Sequence, residues 1–267
     1  MRALSAPSML DAWEEGREQG LIERALVVLS AACPDVPRDA LAALTIGQRD
    51  DHLLTLREWA FGPHIVGLAI CPACSEELEL TFEVADVRIT PPSSGAALTA
   101  ELSLSSGAYE VRFRPPNSAD MAAVSGRKGA AEARHQLLER CISAIHVDGD
   151  ENAGREEETW SVDELPQELI EEVVTRMAEA DPQADVQLPV SCPACGHDWV
   201  TTFDIASFFW SEIEAWVHRT LREVHTLASA YGWSEADILA MGAWRRQRYL
   251  EMVSTVDREA GPAWATS

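Results

Sequence analysis

Two Cys-x-x-Cys pairs are the residues of this sequence best suited to chemistry. They lie in two stretches that resemble each other, "ICPACSEELELTFEV" and "SCPACGHDWVTTFDI". The cysteines concerned are Cys71, Cys74, Cys192 and Cys195. In an intracellular chain of this size, cysteines spaced in this way are more typical of metal ligands or redox centres than of structural disulfides. The pattern leaves open metal half-sites, two redox dithiols, or incidental cysteines.

The residues around each pair indicate strands. "HIVGLAI" precedes the first pair, and "LELTFEVADVRI" follows it as a predicted strand. In this second segment Leu78, Leu80, Phe82 and Val84 alternate with polar residues, which is the period-two pattern of a half-buried strand. "DVQLPV" and "WVTTFDI" flank the second pair in the same way. Each Cys-x-x-Cys pair is therefore predicted to form the turn of a β hairpin.

Two such turns would supply four thiolates to one tetrahedral Zn²⁺, with Zn–S distances of about 2.3 Å. Cys74 and Cys192 are 118 residues apart, so a large insertion must separate the two halves of the site. Loop-closure entropy rises by only about 0.6 kcal/mol per doubling of loop length, whereas structural zinc contributes about 10–16 kcal/mol in finger peptides. We therefore expect Cys71, Cys74, Cys192 and Cys195 to bind one structural Zn²⁺ in a zinc-ribbon arrangement.

The main alternative is a thiol-disulfide oxidoreductase. A thioredoxin-like motif requires its first cysteine at the start of a helix within a βαβ unit, and neither pair precedes a predicted helix. A catalytic zinc keeps an open coordination position, which four cysteines would close. His197 and His64 are interpreted as solvent-facing turn residues, and no catalytic residue is assigned.

The two remaining cysteines have a simpler interpretation. Cys141 is predicted to lie on a helix face with Leu137, Leu138 and Ile145, because free cysteine packs as a small hydrophobic residue. Cys33 is likewise predicted to be a buried, unreactive thiol.

Composition narrows the classes of partner. The chain has 267 residues, is 46% hydrophobic and has a net charge of -23, about half of it within residues 148–185. Such a charge repels phosphate backbones, so nucleic acid is not an expected ligand. No apolar run reaches the roughly 20 residues of a membrane span, and the first residues do not resemble a secretory signal, so we expect no membrane association and a cytoplasmic location.

Patterns in the inserted region predict a β/α segment. "PPSSGA" is a predicted turn, and "ALTAELSLS" and "YEVRFRP" are predicted strands joined by a second turn at "SGA". A short helix is predicted to begin at Asn117 or Ser118, and a longer one to cover "AEARHQLLERCISAIHV". "LPQELIEEVVTRMAEAD" is predicted to be an amphipathic helix.

The last third predicts one long helix from Ser207 to Ala230, roughly 36 Å in length, ending at Gly232. Its apolar positions are Phe209, Ile213, Val217, Leu221, Val224, Ala228 and Tyr231. The aromatic residues Phe208, Phe209, Trp210, Trp216 and Trp233 are interpreted as core. A capping box from Ser234 to Asp237 predicts a further short helix. The arginines of "WRRQRYLEMV" are expected to pair with the acidic surface or with a protein partner.

The predicted fold class is α+β, with Cys₄ zinc-ribbon-like β hairpins split by a large insertion and flanked by N-terminal and C-terminal helices. The predicted regions are an N-terminal helical region (1–60), the first half of the ribbon (61–90), an inserted β/α segment (91–185) with an acidic stretch (148–165), the second half of the ribbon (186–206) and a C-terminal helical region (207–267).

Three further segments resemble the T-even-type baseplate hub assembly chaperone family of contractile phage tails and contractile injection systems. They contain "GQRD" before the first cysteine pair, "RPPNSAD" in the insertion and "YGWSEADIL" in the C-terminal region. The likeness covers roughly residues 40–125 and 186–253, and the acidic stretch has no clear counterpart in the family. The zinc prediction rests mainly on the cysteine spacing, because phage members of the family often lack the cysteine pairs.

This resemblance implies a non-enzymatic role in building a baseplate, either as a transient chaperone or as a minor component of the particle. The implied partners are baseplate or tail hub proteins, with no small-molecule substrate. The implied location is the cytoplasm or a phage-tail-like particle. Beside the oxidoreductase, a generic zinc-ribbon adaptor remains an alternative function.

Overall fold

The computed structural model describes residues 1–89, 101–127, 129–147 and 162–259. These residues form a mixed α/β structure of helices and small antiparallel sheets. The helices are α1 (Ala6–Gly16), α2 (Leu21–Ala32), α3 (Arg38–Ala42), α4 (Ile46–Phe61), α5 (Val84–Val87), α6 (Ser118–Val124), α7 (Ala130–Cys141), α8 (Gln167–Ala180), α9 (Ile205–Tyr231), α10 (Glu235–Ala240) and α11 (Ala243–Glu259). The strands are β1 (His64–Ile70), β2 (Glu77–Glu83), β3 (Leu102–Ser106), β4 (Tyr109–Phe113), β5 (Ile142–Val147), β6 (Val186–Ser191) and β7 (Asp198–Phe203).

The strands form three antiparallel sheets. β1 pairs with β2, β6 pairs with β7, and β4 lies between β3 and β5. Both hairpins predicted around the cysteine pairs are therefore confirmed, as is the hairpin whose turn contains Gly107. No helix in the described ranges is both long and apolar enough to cross a membrane.

The contacts divide the chain into two units. One, here called the terminal unit, comprises Met1–Ala32 and Ser207–Ser267, and the other, the central unit, comprises Cys33–Ala206. By these contacts, α3 and α4 are part of the central unit. Both Cys-x-x-Cys pairs lie in the same unit.

In the terminal unit, α1 packs against α2 and α10. Gly16 at the end of α1 permits a close approach, because a Cβ atom there would lie 2.5 Å from Cη2 of Trp210. The Arg24 guanidinium lies over the Trp210 ring, 4.9 Å from its centroid. Trp13 meets the ring of His218 edge-on at 5.7 Å. A glycine and four large side chains thus hold the N-terminal helices against α9 within this unit.

The long C-terminal helix is confirmed, but its buried face differs in part from the prediction. Leu221 and Tyr231 are exposed, and Leu227 is fully buried instead. The buried face continues from Val217 to Thr220, Val224 and Leu227 in steps of three and four. The prediction steps by four from Val217 to Leu221 instead, and so places Leu221 and Tyr231 on the wrong face. Phe209 and Trp210 are buried, whereas Phe208, Trp216 and Trp233 are only partly buried.

The arginines after α10 have acidic partners within the same unit. Nε of Arg246 lies 3.2 Å from a carboxylate oxygen of Glu223, and both side chains are largely buried. Arg248 contacts Glu251 on the exposed surface at 2.7 Å. Ser234 caps α10 by accepting a hydrogen bond from the backbone N–H of Asp237, as predicted. These arginines thus pair with acidic side chains of the chain itself.

The inserted region has its own core, in which one face of the three-stranded sheet packs with α7 and α8. The buried residues of this core are Leu104, Val111, Phe113, Leu138, Cys141, Ile145, Val162, Leu165, Leu169, Ile170, Val173 and Met177. Asn117 caps α6, as one of the two predicted caps. Residues 148–161 of the acidic stretch and the predicted turn at 91–96 lie outside the described residues, and Val162–Glu164 forms a single 3₁₀ turn.

Two predicted elements in this part of the chain are wrong in extent. The helix expected over residues 131–147 ends at Cys141, and Ile142–Val147 forms strand β5, so Ile145 shares the core with Cys141 but not its helix face. Pairing with β4 decides this conformation. The strand expected over residues 78–89 ends at Glu83, because Glu83 and Asp86 form a capping box that starts α5.

Candidate metal centre

The two Cys-x-x-Cys turns have the same backbone conformation. The N–H of Cys71 donates to the carbonyl oxygen of Glu76, and the N–H of Ser75 donates to that of Cys71, both at 2.9 Å. In the second turn, Cys192 donates to His197 at 2.9 Å and Gly196 donates to Cys192 at 2.8 Å. These paired bonds close each turn so that both thiols of the pair project to one side.

Each turn contains one residue in the left-handed region. Gly196 has a φ of 72° and Ser75 has a φ of 63°. In the described part of the chain, Ser75 is the only residue other than glycine with a positive φ. A side chain in this region costs roughly 1–2 kcal/mol, so the first turn keeps a strained conformation that the second reaches without strain.

The folded chain brings all four predicted thiols together. The four Sγ atoms lie within 4.8 Å of one another. Two of the sulfur contacts join the two hairpins: Sγ of Cys71 is 3.7 Å from Sγ of Cys195, and Sγ of Cys74 is 3.6 Å from Sγ of Cys192. Four sulfurs at 2.3 Å from a central Zn²⁺ would be about 3.8 Å apart in an ideal tetrahedron. The cluster therefore has the dimensions of a four-thiolate metal site.

In both pairs the first cysteine is buried and the second is exposed. Cys71 and Cys192, the first of each pair, are 1% and 2% exposed, whereas Cys74 and Cys195 are exposed. All four thiols are free in the structure. Each hairpin thus contributes one thiol from the interior and one from the surface.

A small cluster of apolar side chains packs against the buried cysteines Cys71 and Cys192. Leu78 and Val190 are buried beside the inner cysteines, and Leu80 and Trp199 pack against them. Farther from the turns, Phe82 and Phe203 meet edge to face with ring centroids 5.4 Å apart. The inner faces of the hairpins therefore pack on each other, so the relative position of the thiols does not depend on a metal alone.

The thiols of the cluster differ in how readily they ionise. Desolvation raises the pKa of the Cys71 thiol. The N–H groups of Cys74 and Ala73 and the neighbouring thiols lower this pKa by a larger amount, so the net pKa falls to about 7. For Cys74, the N–H of Glu76 lowers the pKa, but the neighbouring thiols outweigh it and raise the pKa to about 12. The pKa of Cys195 is also raised. One thiol thus ionises readily while others hold their protons, and a dication at the centre would displace those protons.

Neither of the nearby histidines contributes to the cluster. His197 is exposed and stacks on Trp199 with ring centroids 6.1 Å apart. His64 is exposed at the far end of β1, where Nδ1 lies 3.4 Å from a carboxylate oxygen of Glu83. Both were predicted to be solvent-facing and are exposed, although His64 lies in a strand and not in a turn.

Cys33 and Cys141 lie apart from the cluster. Cys141 is buried, and burial raises the pKa of its thiol to about 11. It also lines an apolar cavity of about 490 Å³ between α7 and α8. Cys33 is only partly buried, so the prediction of a buried thiol is wrong there. It lies just beyond the end of α2, where the chain turns through Pro34.

The "GQRD" segment forms the start of α4. The N–H of Gly47 donates to Oδ2 of Asp181 at 2.8 Å, and a Cβ atom on Gly47 would lie 2.1 Å from the other oxygen of that carboxylate. Thr45 and Gln48 form a capping box. Arg49 and Asp50 are a largely buried ion pair at 2.7 Å. No local feature of the sequence indicates the role of Asp181, which lies 134 residues from Gly47.

The "RPPNSAD" segment contains a second buried ionic centre. Asp120 is buried, and its carboxylate accepts from Arg114 at 2.6 and 3.2 Å and from Arg140 at 3.0 Å. It also accepts from the N–H of Asn117 at 3.1 Å. Burial alone would raise the pKa of Asp120, but these donors hold it below its usual value. Both motifs therefore stabilise the starts of helices, α4 and α6.

Together, the fold and the thiol cluster define a mixed α/β protein with a four-cysteine centre compatible with a metal ion. The family model described as "T4 bacteriophage base plate protein" matches residues 8–210. The chain belongs to this family of phage baseplate proteins. No curated protein and no solved structure gave a significant match.

Proposed function

We propose that this chain is a non-enzymatic, zinc-stabilised protein that assists assembly of the baseplate of a contractile phage tail or contractile injection system, or forms a minor part of that baseplate. The family match over residues 8–210 carries the baseplate role. The resemblance of its motifs to hub assembly chaperones supports the assembly role. We expect it to act in the producing cell's cytoplasm or within the particle, on baseplate or tail hub proteins.

The proposed metal is one structural Zn²⁺ held by Cys71, Cys74, Cys192 and Cys195. The sulfur separations of 3.6 and 3.7 Å support this assignment, since they match a tetrahedral shell. When bound, the ion would join the two hairpins as the halves of a zinc ribbon. Four protein ligands would leave no open position for a substrate, which supports a structural and not a catalytic role.

The position of the cysteine pairs also supports this proposal over an oxidoreductase. Both pairs lie in hairpin turns, where neither first cysteine gains the helix N-terminus that activates a redox thiol. Each of the four thiols has a sulfur of the other hairpin within 3.7 Å. This arrangement favours a shared ligand over two separate dithiols.

Metal analysis tests the zinc part of the proposal. We expect about one zinc per chain in protein purified under reducing conditions, with four thiols protected from a mild alkylating agent until a chelator is added. Protein without metal that contains a reducible disulfide within either pair would contradict the proposal and favour the oxidoreductase.

Gene deletion in the producing cell tests the assembly part. We expect sheaths and tubes that lack complete baseplates by electron microscopy, with restoration by the wild-type chain supplied separately. Mass spectrometry of purified particles then distinguishes a transient chaperone, which would be absent, from a minor component. Complete, active particles in the deletion strain would contradict an assembly role.

A further inference from the structure

The outer face of the first cysteine hairpin displays a row of large aliphatic side chains. Val66, Leu68 and Ile70 alternate along β1 and are 53%, 79% and 63% exposed. Because alternate residues of a strand project to the same face, the three form one continuous row, here called the apolar stripe. Over this length a strand extends about 13 Å. Single exposed aliphatic residues are ordinary, but a row of three on one small sheet is typical of a binding surface.

The second hairpin shows that the apolar stripe is not needed to build such a hairpin. The two turns share the same hydrogen bonds, and both hairpins have the same register, with Phe82 and Phe203 at equivalent inner positions. The outer positions of β6 that correspond to the apolar stripe are Gln187, Pro189 and Ser191. A hairpin of this form therefore folds without a row of large aliphatic side chains on its first strand, so folding of the hairpin does not account for the apolar stripe.

An acidic row lies beside the apolar stripe on the same face. Across the hairpin, Glu79 pairs with Leu68 and Glu77 pairs with Ile70, and both glutamates are exposed. Neighbouring strands are about 4.8 Å apart, so the two rows run side by side. The chain as a whole has a net charge of -23. This face is thus complementary to a surface that carries an aliphatic row next to a basic row.

The side-by-side arrangement of the two rows favours a helix over a single strand as the partner segment. A single strand projects alternate side chains to opposite sides, so it could not present its aliphatic and basic rows to this face together. A helix can, because residues three and four apart form adjacent rows on one side. About two to three helical turns would match the length of the stripe.

We propose that the apolar stripe, with Glu77 and Glu79, binds an amphipathic helix of another protein, in which a row of aliphatic residues is flanked by lysine or arginine. This inference deepens the proposed assembly role and rests on it for the identity of the partner as a baseplate protein. A second copy of the chain is a poorer occupant because it would bring two acidic surfaces together, and anionic membranes are disfavoured for the same reason.

The test uses a fluorescent synthetic helical peptide with a leucine row and lysines on one flank, measured by fluorescence anisotropy against the full, zinc-loaded chain. Two control peptides replace the leucines by serine or the lysines by glutamate. The protein variants are V66T/L68T/I70T, which keeps strand propensity, and E77K/E79K. V200T removes an exposed aliphatic residue from the second hairpin and is the matched control. Zinc content and thermal melting establish that each variant is folded.

We expect the leucine–lysine peptide to bind the wild type, and V66T/L68T/I70T to bind it about tenfold or more weakly. V200T should bind as the wild type does. E77K/E79K should lose the lysine peptide and gain the glutamate peptide. Equal binding of the serine peptide would show charge attraction alone and would overturn the proposal, as would tighter binding of an extended peptide of alternating valine and lysine. A wild-type dimer that V66T/L68T/I70T abolishes would assign the stripe to a second copy and overturn it too.

Failure of this inference is distinguishable from failure of the proposed function. If the gene deletion prevents baseplate assembly but V66T/L68T/I70T restores it fully, the docking surface is wrong and the assembly role stands. If the deletion leaves assembly intact, the assembly role itself is wrong, whatever the peptide does.

Discussion

Cys71 and Cys195 place their Sγ atoms 3.7 Å apart although the two residues are 124 positions apart in the sequence. Cys74 and Cys192 form the reciprocal contact at 3.6 Å. Both contacts therefore join one hairpin to the other, and the cluster is shared between the two Cys-x-x-Cys pairs. A metal in this cluster would fasten the two ends of the inserted region to each other.

Replacing one inner cysteine should destroy the whole site. We expect Cys71→Ser to lose zinc and to lower the free energy of unfolding by about 5 kcal/mol or more, since structural zinc binding is part of the folding free energy. Metal content and the thermal midpoint measure this. Cys33→Ser, at a thiol outside the cluster, should keep the metal and change stability by less than about 1 kcal/mol. A Cys71→Ser protein that melts like the wild type would show that the four thiols do not share an ion.

The two turns provide a matched pair of backbone substitutions. Ser75→Gly should raise the free energy of unfolding by up to about 1 kcal/mol, because glycine adopts a φ of 63° without steric cost. Gly196→Ala should lower it by about 1–2 kcal/mol. A Cβ atom at Gly196 would have no neighbour within 4 Å, so the cost there is conformational and not a clash. Chemical denaturation of zinc-loaded protein measures both, and the same sign for the two substitutions would contradict this account.

The parts of this structure that the sequence predicts are those with a local cause. Alternation around the cysteine pairs predicts the hairpins, and helical periodicity predicts the long helix that ends before Gly232. The prediction for the segment around Cys141 is wrong because the spacing of Leu138, Cys141 and Ile145 is compatible with two structures. One is a single continuous helix, and the other is a helix followed by a strand. Only pairing of Ile145 with Val111 of β4 resolves that ambiguity.

In the candidate site too, local features are predictable from the sequence and long-range contacts are not. Cysteine spacing was sufficient to nominate the four thiols, since two thiols on one turn are a local feature. Their mutual distances depend on packing of the hairpin faces, through contacts such as that between Phe82 and Phe203. The contact between Gly47 and Asp181 is another long-range feature for which the sequence holds no local signal.

Loss of the Asp120 carboxylate should be among the more damaging single changes in the central unit. Asp120→Asn would leave Arg114 and Arg140 without their shared anion, and we expect the free energy of unfolding to fall by about 3 kcal/mol. Glu179→Gln, which breaks an exposed pair with Arg176, should change it by less than about 0.5 kcal/mol. Urea denaturation at neutral pH compares the two, and equal effects would contradict a structural role for the buried centre.

Asp120 also predicts how this difference depends on pH. Because its pKa is lowered in the folded state, its stabilising contribution is present above the pKa of the unfolded carboxyl group and is lost as the pH falls through the folded pKa. The gap between wild type and Asp120→Asn should therefore narrow as the solution is acidified. Denaturation in the acidic range measures this, and a constant gap would show that the carboxylate is not ionised in the folded chain.

Asp50 should produce the opposite dependence on pH. Burial raises the pKa of its carboxyl group from 3.8 to about 6, despite the charge and hydrogen bond of Arg49, with the nearby Asp204 and Asp181 carboxylates adding to the increase. Between these two values the unfolded chain has released the proton and the folded chain has retained it. The free energy of unfolding contributed by Asp50 therefore declines as pH rises through about 6, by about 3 kcal/mol in total. Asp50→Asn should lack this decline. Comparing the two proteins by denaturation at each pH cancels the pH dependence of metal binding, which they share, and parallel profiles would show that the carboxyl group of Asp50 is not held protonated by its surroundings.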